Sequence, residues 1–340
     1  MKIRLKDIAE QAGVSVGAVS QVLNDKPIRI SDKKKQMILS IAKEQNYTPN
    51  IAARSLVSHK TNTIGLVIPD INNPFFSNLA KTMENRLREL GYLLVLVNSN
   101  DVFQSEKELI HLLLNRGVDG LILVLSHEAY AYEKELRAML EEINVPFVLA
   151  DRELHDFQGS QIFYDNRLGG YLATKELLQQ GHRKIGVMMN LHQNINCEYR
   201  YQGYLKALSE YGIKPKKEWN VPTEFQFEDA YEKADNLLNN KDITGVVAGN
   251  DLIALGIIKR AREMSKKVPG DISIVGYDNL FLNDLLEVGL TSIEQDVGLL
   301  GKKAVEILLH LLETKEHQQV ELTPTLVKRA SVENKKGATL

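Results

Sequence analysis

A chain of 340 residues is too long for one ordinary domain and reads as two or three. Hydrophobic residues make up 44% and charged residues 25%, a soluble globular composition. No apolar run reaches the ~18 residues of a membrane span, and the single cysteine, Cys197, excludes an internal disulfide and a zinc cluster. The net charge of −2 hides an asymmetry: residues 1–60 carry eleven Lys/Arg against five Asp/Glu, a net +6, which leaves −8 on the rest. A basic head on an acidic body points to a polyanion as the partner of the head, although a merely solvated basic surface carries the same charge. The opening Met1-Lys-Ile-Arg-Leu-Lys-Asp7 has no apolar stretch of a secretory signal, and a cytoplasmic protein is expected.

In chain order, residues 5–12 put Leu5, Ile8, Ala9 and Ala12 on one helical face. Gly13 suits the positive φ of a tight turn, and Ser15 caps a second short helix that buries Val19, Val22 and Leu23. Asn24-Asp25-Lys26-Pro27 ends it. A third helix starts at Ser31, carries Met37, Ile38, Ile41 and Ala42 inward, and ends at Asn46-Tyr47-Thr48-Pro49. Two short helices about a glycine turn, braced by a third, follow the helix-turn-helix plan, whose second helix enters the major groove.

The run Asp7-Ile-Ala-Glu-Gln-Ala-Gly-Val-Ser-Val-Gly-Ala-Val-Ser-Gln-Val-Leu-Asn24 resembles the head of the lac repressor/gal repressor family of bacterial transcriptional regulators. So does Tyr47-Thr-Pro-Asn-Ile-Ala-Ala-Arg-Ser-Leu56, and the similarity continues block by block to about Ser331. The resemblance implies that Val16, Gly17 and Gln21 read bases, with Ser15, Ser20 and Asn24 as further DNA contacts; capping is the competing role for Ser15 and a helix-surface role for Ser20. Two positions depart from the commoner family pattern: Ala18 stands where Thr is usual and Gln21 where Arg is usual. Arg favours guanine and Gln favours adenine, so the usual operator does not transfer unexamined.

Residues 50–57 have helical composition, but so short a helix is unstable alone in water. The resemblance implies a hinge helix that folds on DNA when two copies pair. Leu56 is then a wedge in the minor groove, Ala53 allows close approach, and Arg54 meets phosphate. A flexible linker with a stray leucine is the plainer alternative.

From Thr63 onward apolar runs alternate with amphipathic helices: 64–68, 93–97, 120–124, 146–149, then 184–189, 245–248 and 272–276. Helices are expected over 75–90, 104–116, 167–180, 199–211, 228–239 and 251–264. This is a βαβα pattern with buried parallel sheets. The expected fold is an all-α helix-turn-helix head plus an α/β body of two doubly wound parallel-sheet lobes of the periplasmic-binding-protein type. The boundaries are residues 1–49 for the head, 50–60 for the hinge and 61–333 for the body. Lobe 1 takes about 61–160 and 293–320, and lobe 2 about 161–292 and 321–333, with crossovers near 160, 292 and 321.

Ligands of such sheets bind beyond the carboxyl ends of the strands. There lie Asn73-Pro-Phe75-Phe76, Asp151-Arg152, Arg200, Asp251 and Gln295. Aromatic faces suit a sugar's C–H face, and charged planar groups suit vicinal hydroxyls. The same positions resemble the ligand positions of periplasmic ribose-binding proteins, and Phe225 matches an aromatic position of related repressors, which implies a small sugar with ribose favoured. Each residue has a plainer role: core packing for Phe75 and Phe76, a helix cap for Asp251, a surface pair for Asp151-Arg152. Asp278 is read mainly as a turn device and His182 as structural.

The expected function is a sequence-specific DNA-binding regulator, a repressor of a carbohydrate-use operon controlled by a small sugar between the lobes. The alternatives are a transport-type sugar-binding protein or a repressor with a non-sugar effector such as a purine. No phosphate-cradling glycine loop and no nucleophile constellation supports an enzyme, and no cofactor or metal is expected. The resemblance implies a homodimer on a palindromic double-stranded DNA operator. The residues after Ser331 carry no leucine-rich extension, so a dimer is expected over a tetramer, with no membrane partner.

Overall fold

The computed structural model describes residues 3–23, 27–45, 47, 60–190 and 195–335. They form two compact units, residues 1–61 and 62–340. The hinge positions Ala53, Arg54 and Leu56, and Asn24 at the end of the second helix, lie outside the described residues.

The head is three helices: α1 (Leu5–Ala12), α2 (Val16–Leu23) and α3 (Asp32–Glu44). Ile8, Ala9, Ala12, Val19, Val22, Ile38 and Ala42 form its core. Gly13 takes the left-handed φ of +61° at the end of α1, where an L side chain is strained. The Lys34 amine donates to the Ala12 and Gly13 carbonyls at 2.8 and 3.0 Å, satisfying acceptors that the helix end leaves open. Ser15 Oγ accepts from Ala18 N–H at 3.2 Å and Ser31 Oγ from Lys34 N–H at 3.4 Å, so both expected caps are present.

The body runs β1 (Thr63–Ile68), α4 (Pro74–Glu89), β2 (Leu93–Asn98), α5 (Phe103–Asn115), β3 (Gly120–Leu123), α6 (Glu133–Glu142), β4 (Phe147–Asp151), β5 (Ser160–Tyr164) and α7 (Asn166–Gln179). It continues with β6 (Ile185–Met189), α8 (Ile195–Glu210), β7 (Asn220–Pro222), α9 (Phe227–Lys233), α10 (Asp235–Leu238), β8 (Gly245–Ala248) and α11 (Asp251–Glu263). It ends with β9 (Ser273–Asp278), β10 (Thr291–Glu294), α12 (Val297–Thr314), β11 (Gln319–Leu322) and β12 (Thr325–Val327). The strands form two sheets, in the orders β11-β5-β4-β3-β1-β2 and β12-β10-β9-β8-β6-β7. All described pairings are parallel except β10 with β12.

The continuous apolar runs follow from burial on both faces. In the first sheet Ile64, Leu66, Ile68, Ile122 and Val148 pack under α4 and α12. The alternate set, Val67, Leu121, Leu123 and Leu149, packs under α5 and α6. The second sheet divides the same way, with Val246 and Ile274 facing α9 to α11, and Val187, Val247 and Val275 facing α7 and α8.

Two expectations change. The chain crosses between lobes slightly later than expected, at 165, 295–296 and 323–324. β5 hydrogen-bonds to β4 and so keeps 160–164 in lobe 1; β10 pairs with β9 in lobe 2, and β11 with β5 in lobe 1. The first two crossovers end in a capping aspartate: Asp165 accepts from Leu168 N–H at 2.8 Å and Asp296 from Leu299 N–H at 2.9 Å. The helix expected over 228–239 is two short helices, α9 and α10. Among the described residues no helix is long and apolar enough to cross a membrane.

Candidate functional site

The carboxyl ends of both sheets face a cavity of about 240 Å³ between the lobes. From lobe 1 it is lined by Phe75 and Phe76 after β1, Asp101 after β2, His127 after β3, and Asp151 and Arg152 at the end of β4. Lobe 2 adds Asn196 and Arg200 on α8, Phe225 after β7, Asn250 after β8 and Asp278 at the end of β9. Gln295 sits in the second crossover.

Asn73 also lines the cavity and caps α4, its Oδ1 accepting from Phe75 N–H at 3.0 Å with Pro74 following. That start aims two rings at the cleft, packed edge to face at 5.2 Å. The Arg152 guanidinium lies 5.5 Å from the Phe76 ring centre, and its Nη1 donates to the Leu125 carbonyl at 2.5 Å and to Asp101 Oδ1 at 2.8 Å. Burial by itself raises the Asp101 pKa, but Arg152 and His127 outweigh it and hold the carboxyl well below the usual range. Burial, with Arg152 adding to it, lowers the His127 pKa to about 4 against the pull of Asp101. Behind them Glu106 is wholly buried; its Oε2 accepts from Ser126 N–H at 2.6 Å, and burial raises its pKa to about 7.

Arg200 is handled differently. Its Nε donates to Asn166 Oδ1 at 2.8 Å, its Nη1 to the Gly249 carbonyl at 2.6 Å, and its guanidinium lies 3.6 Å from the Tyr277 ring centre. Asp278 accepts from Gln295 Nε2 at 3.0 Å, and burial lifts its pKa well above the usual range although Arg200 opposes this. Burial also raises Asp151. Both aspartates have left-handed backbones, φ +67° at Asp151 and +101° at Asp278, uncommon for a residue with a side chain. Asp151 Oδ1, Asn196 Oδ1, Gln295 Oε1 and Asn250 Nδ2 are buried and find no hydrogen-bond partner among the described residues.

Eight of the expected positions therefore come together: Asn73, Phe75, Phe76, Asp151, Arg152, Arg200, Phe225 and Gln295. Asp251 does not join them. It is the first residue of α11 and points behind the cleft wall, where it accepts from Leu280 N–H (2.7 Å), Asn283 Nδ2 (2.8 Å) and Ser292 Oγ (2.7 Å). A Cβ on Gly276 would come within 2.1 Å of its Oδ1, so only glycine admits this carboxylate. Burial raises its pKa to about 6. Its neighbour Asn250 caps the helix, accepting from Ile253 N–H at 2.8 Å, and is the one that lines the cavity. Asp278 is likewise more than a turn device. Sequence reasoning also passed over Asp101, His127 and Asn196, although strand-end position was a sufficient signal for Asp101 and His127. His182 is structural, between Thr244 Oγ1 (2.9 Å) and the Glu333 carbonyl (3.1 Å).

In the head, Ser15, Val16, Gly17 and Gln21 are exposed and Ser20 half-buried, while Ala18, Val19 and Val22 turn inward. At 100° per residue, Val16, Gly17 and Gln21 share one arc of α2. No group of residues able to hold a metal ion occurs among the described residues.

Residues 4–50 match the model of bacterial regulatory proteins of the lacI family, and residues 174–332 that of the periplasmic binding protein-like domain. Over 335 residues the chain is 36% identical to the HTH-type transcriptional repressor PurR of Photorhabdus laumondii subsp. laumondii, covering 96% of each protein. The structure of the lac repressor dimer bound to operator and the anti-inducer ONPF superposes with a TM-score of 0.87, at 26% identity, over 98% of this chain and 100% of that one. A lacI-family regulator from Enterococcus faecium with bound ribose aligns at 30% identity and a TM-score of 0.69, over 80% of this chain and 99% of that one. A second helix with an exposed face on a three-helix head, a two-lobed body with a polar cleft, and identity sustained along nearly the whole length lead to one assignment: the chain belongs to the lacI family of bacterial regulatory proteins and is a DNA-binding transcriptional repressor, not an enzyme.

Proposed function

We propose that the cleft binds a small neutral sugar, ribose-like in size, and that this effector sets the affinity of a homodimer for its operator. The observation that carries the reading is the imbalance of unmet groups on the cavity wall: three acceptors, Asp151 Oδ1, Asn196 Oδ1 and Gln295 Oε1, against one donor, Asn250 Nδ2. A ring of hydroxyls donates to such acceptors and also accepts, from Asn250 and from the guanidiniums of Arg152 and Arg200. Carboxylates outnumber guanidiniums on the wall, which disfavours a phosphorylated ligand. The ribose bound by the Enterococcus faecium regulator supports the same class. A sugar touching both lobes favours their closed arrangement by its differential affinity. The hinge, residues 50–60, carries that change to the head, residues 1–49.

The head reads DNA through Val16, Gly17 and Gln21, with Ser15, Ser20 and Asn24 at the backbone. In the hinge, Ala53 allows close approach, Arg54 meets phosphate and Leu56 inserts in the minor groove. Gln21→Arg is expected to move the preferred base toward guanine once per half-site, worth about 1–3 kcal/mol. An unchanged consensus in binding selection contradicts that role.

A second reading, a purine effector, is favoured by the name of the PurR relatives and by the aromatic rings of Phe75 and Phe76 on the cavity wall. A thermal-shift panel of monosaccharides, sugar phosphates and purines separates the two, because a cleft ligand raises the melting temperature by mass action. Stabilisation by a neutral monosaccharide is expected. Stabilisation by a purine alone replaces the sugar while leaving the repressor intact.

A further inference from the structure

We propose that His127 and Phe225 form a size gate across the cleft that limits the effector to a single ring, and that Asp101 is the positioning residue that keeps the gate shut. The proposal deepens the sugar reading and rests on it. His127 belongs to lobe 1 and Phe225 to lobe 2, and both line the cavity. Their rings stack at 5.0 Å between centres with 13° between planes. A further ring inserted between them needs faces about 7 Å apart, two carbon contact distances. No second ring therefore passes between them while the stack holds. Phe225 is backed by the hydrophobic cores of lobe 2, so an effector does not displace it cheaply.

His127 is held from the other side. Its backbone N–H donates to Asp101 Oδ1 at 2.9 Å, and its Nδ1 meets Asp101 Oδ2. Asp101 is itself fixed by Arg152 Nη1 at 2.8 Å and by a left-handed backbone, φ +61°, directly after Asn100 at +55°. Arg152 keeps the Asp101 carboxyl ionised, so it accepts and Nδ1 of a neutral imidazole donates. The backbone bond anchors the residue, and the Nδ1 bond together with the stack holds the ring flat against Phe225. One lobe thus supplies an anchored ring and the other a packed wall, and they touch only when the lobes are together.

The test is calorimetric titration of the full chain, as wild type, His127→Ala, His127→Phe, Phe225→Ala and Asp101→Asn, with two pairs of probes: ribose and cellobiose, adenine and adenosine. Wild type is expected to bind ribose and to reject cellobiose by a hundredfold or so. His127→Ala and Phe225→Ala, from opposite lobes, are each expected to narrow that ratio by about tenfold or more. His127→Phe keeps the stack and is expected to keep the rejection, and Asp101→Asn narrows it less than His127→Ala. Nitrogen-15 spectra are expected to show His127 protonated at Nδ1 in wild type and to lose that signature in Asp101→Asn. If wild type binds adenine and no sugar, the sugar reading fails and the gate is judged by the same ratio for adenine and adenosine. Equal binding of the small and large probe by wild type, an unchanged ratio in both alanine variants, or no binding of any probe overturns the gate.

Discussion

The two lobes are built on one plan and satisfy their buried charges in different ways. In both sheets the third strand in the order, β4 or β9, ends in an aspartate with positive φ, Asp151 or Asp278. Each lobe also sets a guanidinium in the cleft wall, Arg152 just after β4 and Arg200 on α8. Lobe 1 neutralises Arg152 with a carboxylate, Asp101, at 2.8 Å. Lobe 2 gives Arg200 no carboxylate at hydrogen-bond distance among the described residues; it uses an amide oxygen, a backbone carbonyl and the Tyr277 ring. Behind the walls each lobe has an acid with no exposed surface, Glu106 in lobe 1 and Asp251 in lobe 2. Asp251 in lobe 2 accepts three hydrogen bonds, whereas Glu106 in lobe 1 accepts one and has an oxygen, Oε1, without a partner among the described residues. A repeated scaffold fixes where polar groups stand; what each lobe places around them decides whether they hold structure or stay available to a ligand or a proton.

Removing the satisfied acid is expected to have the largest effect. Asp251→Ala strands the Leu280 N–H, Asn283 and Ser292 donors and is expected to cost about 4 kcal/mol in denaturant unfolding. A loss below about 1 kcal/mol removes Asp251 from the structural role assigned to it. The less satisfied acid comes next. Glu106 has its folded pKa raised from 4.5 to about 7, so the stability it contributes is present below pH 4.5 and lost as pH rises to 7. Glu106→Gln is expected to flatten that slope by up to about 3 kcal/mol across the interval, read from unfolding at pH 5 and pH 8. A slope unchanged from wild type breaks the contrast between the two acids.

The strand-end pair sharpens the comparison at the cavity. Asp151 has an oxygen without a protein partner among the described residues, while Asp278 shares Gln295. Asp151→Asn is expected to weaken sugar binding by about 2 kcal/mol and Asp278→Asn by about 1 kcal/mol, with operator binding in the absence of sugar near normal for both. Equal losses make the lobes equivalent at this site.

Most of the architecture was legible because burial on both faces writes itself as unbroken apolar runs, as in Ile64–Ile68 and Gly245–Ala248, and because caps such as Ser15 and Ser31 mark helix starts. The strands β5, β7, β11 and β12 were not legible. They are three to five residues long, and β11 alternates exposed with half-buried positions, so the crossovers were placed early. At the cleft, the residues after β1 and β4 were found, those after β2 and β3 were not, and at α11 a one-residue rotation decided which side chain enters. Asn250 and Asp251 are adjacent, yet the cap faces the cavity and the first helical residue faces the opposite way. The lobes' common strand order explains why Asp278 belongs beside Asp151; sequence shows no repeat that announces it, because equivalence lies in topology and not in matching residues. Strand-end position marks Asp101 and His127 as candidates, but their pairing, a contact 26 residues apart, is encoded by no local pattern.

The central claim, a neutral sugar held by both lobes, is tested most directly by titrating ribose and other monosaccharides into wild type and Arg200→Ala by calorimetry, with operator affinity measured beside it. The account predicts one site per chain in wild type and a loss of about tenfold or more in Arg200→Ala, with equal operator affinity when sugar is absent. No heat from any monosaccharide, together with saturable binding of a purine, contradicts it.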